Sequence, residues 1–243
     1  MTTIRDMRSD QGLPRRVWPE LLDALGADDP AARRARRDLR RLHHVMGTLS
    51  IVMRALDRAT GSSPRTLLEL GAGDGSLLVR LAERRAGRWP SVAVTLLDRQ
   101  GVVEEKTLDR IRAVGWLPSV VTADVFDWLQ RPHPARWDII VANLFVHHFP
   151  PPDLSRLLSA IALHTQIFFC CEPRRSATAL LGSHLIGLLG AGPVTREDAV
   201  LSVHAGFRDR ELTAAWPPES GWRLHEYPAG LFSHCLLAMR GSV

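Results

Sequence analysis

Residues 66–76 carry the sequence Thr-Leu-Leu-Glu-Leu-Gly-Ala-Gly-Asp-Gly-Ser, and this stretch decides the fold. Thr66–Leu70 is apolar enough to predict a buried strand, and Ser76–Arg85 predicts the helix that follows. The glycines between them let the backbone turn tightly and approach a ligand without a Cβ clash. The start of a helix also favours a negative group such as a carboxylate. The stretch therefore predicts a strand–loop–helix unit whose loop binds a ligand.

The strand–helix alternation continues along the chain. It predicts the strands Val92–Leu97, Ser119–Thr122, Trp137–Ala142 and Gln166–Cys171, with the helices Val103–Val114 and Asp153–Ala162 between them. After Pro173 the pattern is helical to Leu189 and again from Thr195. Trp222–Tyr227 and Leu231–Met239 predict a closing antiparallel pair. The fold class is therefore α/β, with a Rossmann-like, doubly wound and mostly parallel sheet.

The N-terminal quarter is predicted to be a helical cap. Residues 15–25 and 30–59 place apolar side chains at helical spacing, and residues 61–64, Gly-Ser-Ser-Pro, interrupt the pattern. We place the domain boundary there, between a lid of residues 1–62 and a catalytic domain of residues 63–243. The lid holds twelve arginines against eight acidic residues. Six of these arginines crowd the start of the second helix and predict a solvated face, with contact to a phosphate or acidic partner as the alternative: Arg33, Arg34, Arg36, Arg37, Arg40 and Arg41.

Composition excludes several classes of protein. Hydrophobic residues make up 45% and charged residues 23% of the chain, as in soluble globular proteins. The apolar runs are too short to span a bilayer and the first residues lack a signal-peptide stretch, so we expect a cytoplasmic protein without a membrane span. Cys170, Cys171 and Cys235 are expected to be small buried side chains. No ligand set has standard metal-site spacing, so no metal is predicted.

Two carboxylates follow the next two strands. Asp98 ends the second strand, where an acid can accept both hydroxyls of a ribose; the alternative is a surface acid at a strand end. Asp124 follows the third strand and could accept a hydrogen bond from an adenine amino group, with Val125 or Phe126 packed on the ring. The alternative is that Asp124 caps the turn before Trp128.

In their order and spacing, Glu69–Ser76, Asp98, Asp124 and Asn143–His148 resemble the class I S-adenosylmethionine-dependent methyltransferases. The resemblance covers residues 65–175 well and implies S-adenosylmethionine as the cofactor. It assigns cofactor binding to Glu69, Gly71, Ala72, Gly73, Asp98, Asp124, Val125 and Asn143. Of these, the two glycines would line the methionine moiety, Glu69 would support its amino end and Asn143 would lie beside it.

Phe145–Phe149 is similar to the small-molecule branch of that family, which includes quinone and polyketide methyltransferases. The Asn-Pro-Pro-Tyr signature of enzymes that methylate nucleic-acid amino groups is absent. The chain departs from the branch at Leu163–Gln166, where a Lys-Pro-Gly-Gly turn is usual. This departure leaves that loop in doubt and does not affect the class.

Two histidines and an arginine are candidates for contact with the acceptor. His147 and His148 follow the fourth strand, and a histidine with a pKa near neutrality can take a proton from a hydroxyl or an activated carbon. His147 is the first candidate for a catalytic role. The alternative is that one histidine packs and the other fastens the loop. Arg174 or Arg175, after the fifth strand, could bind a carboxylate, phosphate or phenolate group of the acceptor, although a surface role is the simpler interpretation.

The sequence therefore predicts methyl transfer from S-adenosylmethionine to an oxygen or carbon of a small, largely apolar acceptor. A phenolic, quinol or polyketide-derived acceptor would place the protein in secondary metabolism. An NAD-dependent oxidoreductase is disfavoured because Ser76 stands where its fingerprint requires Gly or Ala. Nucleic acid is an unexpected partner, because an RNA-directed methyltransferase would carry more lysine than Lys106 alone. The intact glycines and Asp98 disfavour a non-catalytic interaction protein, and the sequence is compatible with a homodimer.

Overall fold

One seven-stranded sheet organises the protein. A computed structural model describes residues 13–131, 136–218 and 221–241. Its strands are β1 (Thr66–Leu70), β2 (Ala93–Asp98), β3 (Leu117–Thr122), β4 (Trp137–Asn143), β5 (Thr165–Pro173), β6 (Trp222–Ala229) and β7 (Ser233–Arg240). Their order is β3-β2-β1-β4-β5-β7-β6. Strands β1 to β5 are parallel, and β7 runs antiparallel between β5 and β6. The predicted Rossmann-like fold with a closing antiparallel pair is confirmed.

Helices cover both faces of the sheet and its carboxyl edge. In the described ranges they are α1 (Leu21–Ala24), α2 (Pro30–Val45), α3 (Thr48–Ala59), α4 (Ser76–Arg85), α5 (Glu105–Ala113), α6 (Val125–Leu129), α7 (Pro151–His164), α8 (Ala177–Leu185), α9 (Pro193–Ala205) and α10 (Glu211–Ala215). Short 3₁₀ turns occupy Val146–His148 and Ile186–Leu189. Helix α9 packs against α1, α2 and α8 and contacts the turn after β4. None of the described helices has the length and apolarity needed to cross a membrane.

The core is divided by the sheet, because successive side chains of a strand point to opposite faces. In β1, Leu67 packs in the layer of α3 and α4, whereas Leu68 and Leu70 pack in the layer of α7 and α10. The three cysteines are buried as small side chains in these layers, as predicted: Cys170, Cys171 and Cys235. All five residues of β1 are thus enclosed or nearly so, which fixes the position of the glycine loop that follows it.

The single long helix predicted for residues 30–59 is two helices, so that prediction is wrong. Gly47 adopts a left-handed conformation, with φ of +67°, between the end of α2 and the start of α3. The two helices also have different neighbours. Helix α3 packs into the core with Val52, Ala55 and Leu56 fully buried, whereas α2 covers the carboxyl edge of the sheet and leaves Val45 66% exposed. One continuous straight helix could not both pack into the core and cover the carboxyl edge of the sheet.

The helix predicted for residues 15–25 is also wrong for most of its length. Helix is limited to Leu21–Ala24, and the residues before it lie along α9 without helical structure. The backbone N–H of Arg16 donates to the carbonyl of His204 at 3.0 Å, and tertiary bonds of this kind override a helical pattern in a short segment. We call residues 13–24 the N-terminal strap. Whether residues 1–62 act as a separate lid stays a prediction.

Candidate active site

A polar cavity of about 390 Å³ opens at the carboxyl ends of β1, β2 and β4. This is the edge at which doubly wound sheets bind their ligands. All eight residues predicted to bind cofactor line it, together with both predicted histidines: Glu69, Gly71, Ala72, Gly73, Asp98, Asp124, Val125, Asn143, His147 and His148. The structure thus brings together side chains that are separated by up to 79 positions in the sequence.

The glycine loop is held against the end of β2. Gly71 and Gly73 have φ values of +66° and +54°, a region that side-chain-bearing residues rarely adopt. A Cβ on Gly71 would lie 2.4 Å from the ring of Phe145, whereas a Cβ on Gly73 would meet no atom within 4 Å. The N–H of Gly73 donates to one carboxylate oxygen of Asp98 at 2.8 Å, and the N–H of Gln100 donates to the other at 2.8 Å. The loop therefore leaves open space where Gly73 faces the cavity.

Two buried acceptor atoms in this cavity have no hydrogen-bond donor among the described residues. Glu69 is 3% exposed, and burial, with the nearby charges of Asp74 and Asp98, raises the pKa of its carboxyl well above the ordinary value. Its Oε2 atom and the Oδ1 atom of Asn143 are buried and have no hydrogen-bond partner within the described part of the chain. Unpaired buried acceptors are costly. An ammonium group or another donor that reached either atom would satisfy it.

The predicted adenine ligand has a second role. The carboxylate of Asp124 accepts the backbone N–H of Phe126 at 2.8 Å and that of Asp127 at 3.4 Å, which caps the N-terminus of α6. The structural alternative for Asp124 is therefore confirmed. Its position in the lining of the cavity is compatible with a further bond to a ligand, and Val125 beside it is buried.

His147 is buried between two carboxylates. Its Nδ1 atom lies 2.7 Å from Oε2 of Glu172, and its Nε2 atom lies 3.3 Å from Oε1 of Glu20. Burial opposes the charged imidazole, but hydrogen bonds and attraction from Glu172 and Glu20 outweigh it and raise the pKa of His147 to about 9. His147 is therefore protonated at neutral pH, and the prediction that it acts as a general base there needs correction.

The pKa of His148 is shifted in the opposite direction to that of His147. Its ring lies 4.2 Å from that of His147, centroid to centroid, and its Nδ1 atom is 3.5 Å from a carboxylate oxygen of Asp23. Burial and the positive charge of His147 lower the pKa of His148, although Glu20 and Asp23 oppose this. His148 thus stays neutral beside its protonated neighbour.

Sequence reasoning missed Glu20, which the strap carries into the site. Its Oε1 atom accepts hydrogen bonds from the hydroxyl of Ser202 on α9 and from His147. Burial favours the neutral acid, yet the hydrogen bond and charge of His147, together with the bond from Ser202, lower the pKa of Glu20. No local pattern marks this residue, because its partners lie 127 and 182 positions away in the sequence.

Glu20, His147 and His148 also form the group of described residues best placed to ligate a cation. Their potential ligand atoms all lie within 4.8 Å of one another. In the structure, Glu20 and His147 are bonded directly to each other. A divalent cation would therefore have to replace that bond and the proton of His147.

A second cavity, of about 430 Å³, adjoins the first. The two share the lining residues Glu20, Leu22, Leu39, His43, Leu144 and Ser202. Beyond the shared residues the second cavity is lined mainly by apolar side chains from the end of α2, from α8, from the 3₁₀ turn after α8 and from the turn between β6 and β7, among them Leu42, Met46, Ile186, Leu189 and Phe232. Burial lowers the pKa of His43 to about 4, so this histidine is neutral where the cavities meet.

Leu144 marks the boundary between the cavities and has a strained backbone. Its φ of +50° lies in the left-handed region, which is unfavourable for a residue with a side chain. The N–H of Leu144 donates to the carbonyl of Cys171 at 3.0 Å and so holds this conformation at the end of β4. Backbone strain of this kind is concentrated at functional sites.

Helix α2 is bonded directly to the loops that follow β1 and β2 at the edge of the polar cavity. The guanidinium of Arg40 forms a salt bridge with Asp74 of the glycine loop. That of Arg36 donates to the side-chain oxygen of Gln100, beyond β2, at 2.6 Å. These arginines were predicted to form a solvated face, and two of them instead connect the helix to the loops beneath it.

The predicted acceptor ligand Arg174 is not brought to the site. It is absent from the lining of both cavities, and its backbone N–H donates to the carbonyl of Phe232 at 2.7 Å. The neighbouring Arg175 is 4% exposed, forms an ion pair with Glu211 and donates to the carbonyl of Leu13 at 2.7 Å. Arg175 therefore supports the strap.

Comparisons with known proteins agree with this geometry. A family described as a methyltransferase domain matches residues 32–217. Trans-aconitate 2-methyltransferase of Rhodococcus jostii is 32% identical over 95 residues, which are 39% of this chain and 32% of that protein. The chain thus spans about a third of the length of that curated relative.

Two solved structures share the fold. The plantazolicin methyltransferase BpumL, crystallised with a triazolic desmethylPZN analog and SAH, has a TM-score of 0.60 at 11% identity, over 88% of this chain and 92% of that one. An O-methyltransferase family protein from Burkholderia thailandensis has a TM-score of 0.59 at 17% identity, over 89% of this chain and 61% of that one.

Proposed function

The chain belongs to the methyltransferase-domain family, and from this premise we propose that it transfers a methyl group from S-adenosylmethionine to a small, largely apolar acceptor. One observation carries the proposal. A polar cavity lined by the residues predicted to bind the cofactor adjoins an apolar cavity of similar size, and the two share six lining residues. A methyl donor in the first cavity and an acceptor in the second would meet at that junction.

The residues of the polar cavity fit the cofactor. The unpartnered acceptor atoms of Glu69 and Asn143 match the ammonium group of its methionine end. We assign the carboxylate of Asp98 to the ribose hydroxyls, and Asp124 with Val125 to the adenine. When bound, the cofactor supplies a methyl group activated by a sulfonium. The protein contributes orientation and a site with little water, which are the main requirements of a methyl transfer.

The apolar cavity argues for an acceptor unlike trans-aconitate. Among its described lining residues there is no lysine or arginine, and its charged residues are the carboxylates Glu20 and Asp198. Asp198 accepts the backbone N–H groups of Leu21 and Leu22, at 2.7 and 3.0 Å, and so holds the start of α1. A tricarboxylate would find no cation there and would be repelled by Glu20. An apolar acceptor such as a phenol, a quinol or a polyketide-derived compound suits the cavity.

Calorimetric titration tests the cofactor. We expect S-adenosylhomocysteine to bind wild-type protein and NAD to bind far more weakly. Asp98→Ala should lose about 1–3 kcal/mol of S-adenosylhomocysteine binding, because both ribose bonds are removed. Preferred binding of NAD would support the oxidoreductase alternative and contradict the proposal. Methyl transfer to a naphthol but not to trans-aconitate would then support the apolar acceptor.

A further inference from the structure

The N-terminal strap is fastened across the mouth of the site at several points. The guanidinium of Arg15 donates to the carbonyls of Ala205, His147 and Phe149 at 2.8, 3.0 and 3.0 Å. It also lies 4.5 Å from the ring centroid of Phe207. Together with the bonds from the start of α1 to Asp198, these contacts hold the strap between α9 and the turn after β4. The strap therefore delivers Glu20 to a defined position.

Glu20 is the one carboxylate among the described residues that lines both cavities. Both of its hydrogen bonds, from Ser202 and from His147, end on Oε1. No hydrogen bond to Oε2 is found in the described part of the chain, and this oxygen is not among the enclosed unpartnered atoms. Oε2 is thus the oxygen available to a molecule at the junction.

The charges around Glu20 favour a hydrogen-bond donor. Glu172 is fully buried and contacts His147 at the nitrogen opposite to the one that faces Glu20. Together the two carboxylates and the imidazolium carry two negative charges and one positive charge. The imidazolium binds Glu20 and Glu172 at its two nitrogens and keeps Glu20 ionised. A neutral hydroxyl can donate to Glu20, whereas a carboxylate acceptor would be repelled.

We propose that Glu20 is a catalytic residue supplied by the strap, and that it holds and deprotonates the hydroxyl group of an apolar acceptor. This rests on the proposed function and narrows it to O-methylation. The acceptor oxygen forms a bond to the methyl carbon while the carbon–sulfur bond of the sulfonium donor breaks. The bonding pair leaves with the sulfur, and the proton of the hydroxyl passes to the carboxylate of Glu20. His147 acts as a positioning residue that keeps the carboxylate in place.

The test compares two phenols in single-turnover assays at one pH near neutrality. The first, 1-naphthol, is un-ionised there and needs a base; the second, 2,4-dinitrophenol, is already a phenolate. We expect Glu20→Gln to slow methylation of 1-naphthol by about 10²–10⁴-fold, the usual effect of losing an acid–base group. Methylation of the phenolate should not fall, because a phenolate needs no base and the charge of Glu20 repels it, and Glu20→Asp should restore part of the naphthol rate. Glu197→Gln, an exposed change on α9, should match wild type.

A binding measurement separates this role from a structural one. Glu20→Gln should bind S-adenosylhomocysteine as wild type does and should remain folded at the assay temperature, although it unfolds at a lower temperature because it loses the ion pair with His147. Equal losses with both phenols, or activity abolished by EDTA, would overturn the proton-accepting role. Wild-type protein that binds S-adenosylhomocysteine and methylates neither phenol would overturn the hydroxyl acceptor and leave the proposed function standing. Wild-type protein that does not bind S-adenosylhomocysteine would instead overturn the proposed function.

Discussion

The Nδ1 atom of His147 lies 2.7 Å from Oε2 of Glu172, and both side chains are buried. Glu172 belongs to β5, while His147 lies in the turn that follows β4. The same carboxylate accepts the backbone N–H groups of Phe145 and Val146 at 3.1–3.2 Å. The turn that carries both histidines is therefore built around one buried charge, and His147 neutralises that charge.

This pairing predicts a pH dependence of stability. The pKa of His147 is about 9 in the folded protein against an ordinary value of 6.5, so the folded state binds this proton more tightly. Its contribution to the free energy of unfolding is complete below pH 6.5 and is lost as the pH rises through about 9. At about 1.4 kcal/mol per pKa unit, the loss is ~3 kcal/mol. Urea unfolding at pH 6.5 and at about pH 9.5 measures it.

The control for this experiment is the corresponding change at an exposed histidine. His147→Ala should be less stable than wild type at pH 6.5 and should lack most of the decline toward high pH. His184→Ala, on the outer surface of α8, should keep the wild-type decline. A decline of equal size in the His147→Ala protein would assign the pH dependence to other groups.

The conformation of the glycine loop predicts that a Gly→Ala change impairs stability and cofactor binding in the loop but not at an exposed glycine elsewhere. In Gly71→Ala the new Cβ would meet the ring of Phe145 at 2.4 Å, and the φ of +66° would be strained. We expect a loss of more than about 1 kcal/mol in the free energy of unfolding and weaker binding of S-adenosylhomocysteine. Gly87→Ala has open space and no positive φ, so it should change neither. Thermal unfolding and calorimetry on both variants decide the question, and unimpaired binding by Gly71→Ala would contradict the assigned role of the loop.

Two adjacent arginines of the strap predict different effects on acceptor use. Arg15 donates to three backbone carbonyls, whereas the exposed Arg16 has its guanidinium 5.9 Å from the ring centroid of Trp18. Arg15→Ala should loosen the strap and lower kcat/KM for 1-naphthol by about tenfold or more, equivalent to ~1.4 kcal/mol. Its affinity for S-adenosylhomocysteine should fall much less. Arg16→Ala should resemble wild type in both measurements; equal losses in the two variants would show that the strap does not depend on Arg15.

The two arginines that follow β5, Arg174 and Arg175, are expected to differ in their effects on stability. Arg175 is buried and ion-paired with Glu211, so Arg175→Ala should lower the free energy of unfolding by about 3–5 kcal/mol. Arg174→Ala removes a side chain that lines neither cavity and should change stability by about 0.5 kcal/mol or less, without altering acceptor turnover. Denaturant unfolding and the naphthol assay report both effects. A specific loss of turnover in Arg174→Ala would restore its assignment to the acceptor.

The sheet could be predicted from sequence because its signals are local. Apolar runs followed by glycine or a carboxylate located β1 and β2 to within about one residue, and the same edge of the sheet then had to gather Asp98, Asp124 and Asn143. Nothing beyond neighbouring residues was needed for this part of the site.

The covering of the site could not be predicted, because tertiary contacts decide it. The helical pattern of residues 15–25 gave way to bonds with α9, and Gly47 divided one expected helix into two. The protonated state of His147 depends on Glu20 and Glu172, which are 127 and 25 positions away. A pattern of single residues does not encode such distant pairs, and for that reason His147 was interpreted as an ordinary base.

The bonds from α2 to the cofactor side bear on the timing of the catalytic cycle. The Arg40–Asp74 salt bridge and the Arg36–Gln100 hydrogen bond join the helix to the two loops that flank the polar cavity. Because both bonds connect α2 to these loops, we expect release of the spent cofactor to require their opening. Opening of a covering element often limits the turnover rate of an enzyme. We therefore expect a rapid first turnover followed by a slower steady state whose rate is set by the movement of this helix.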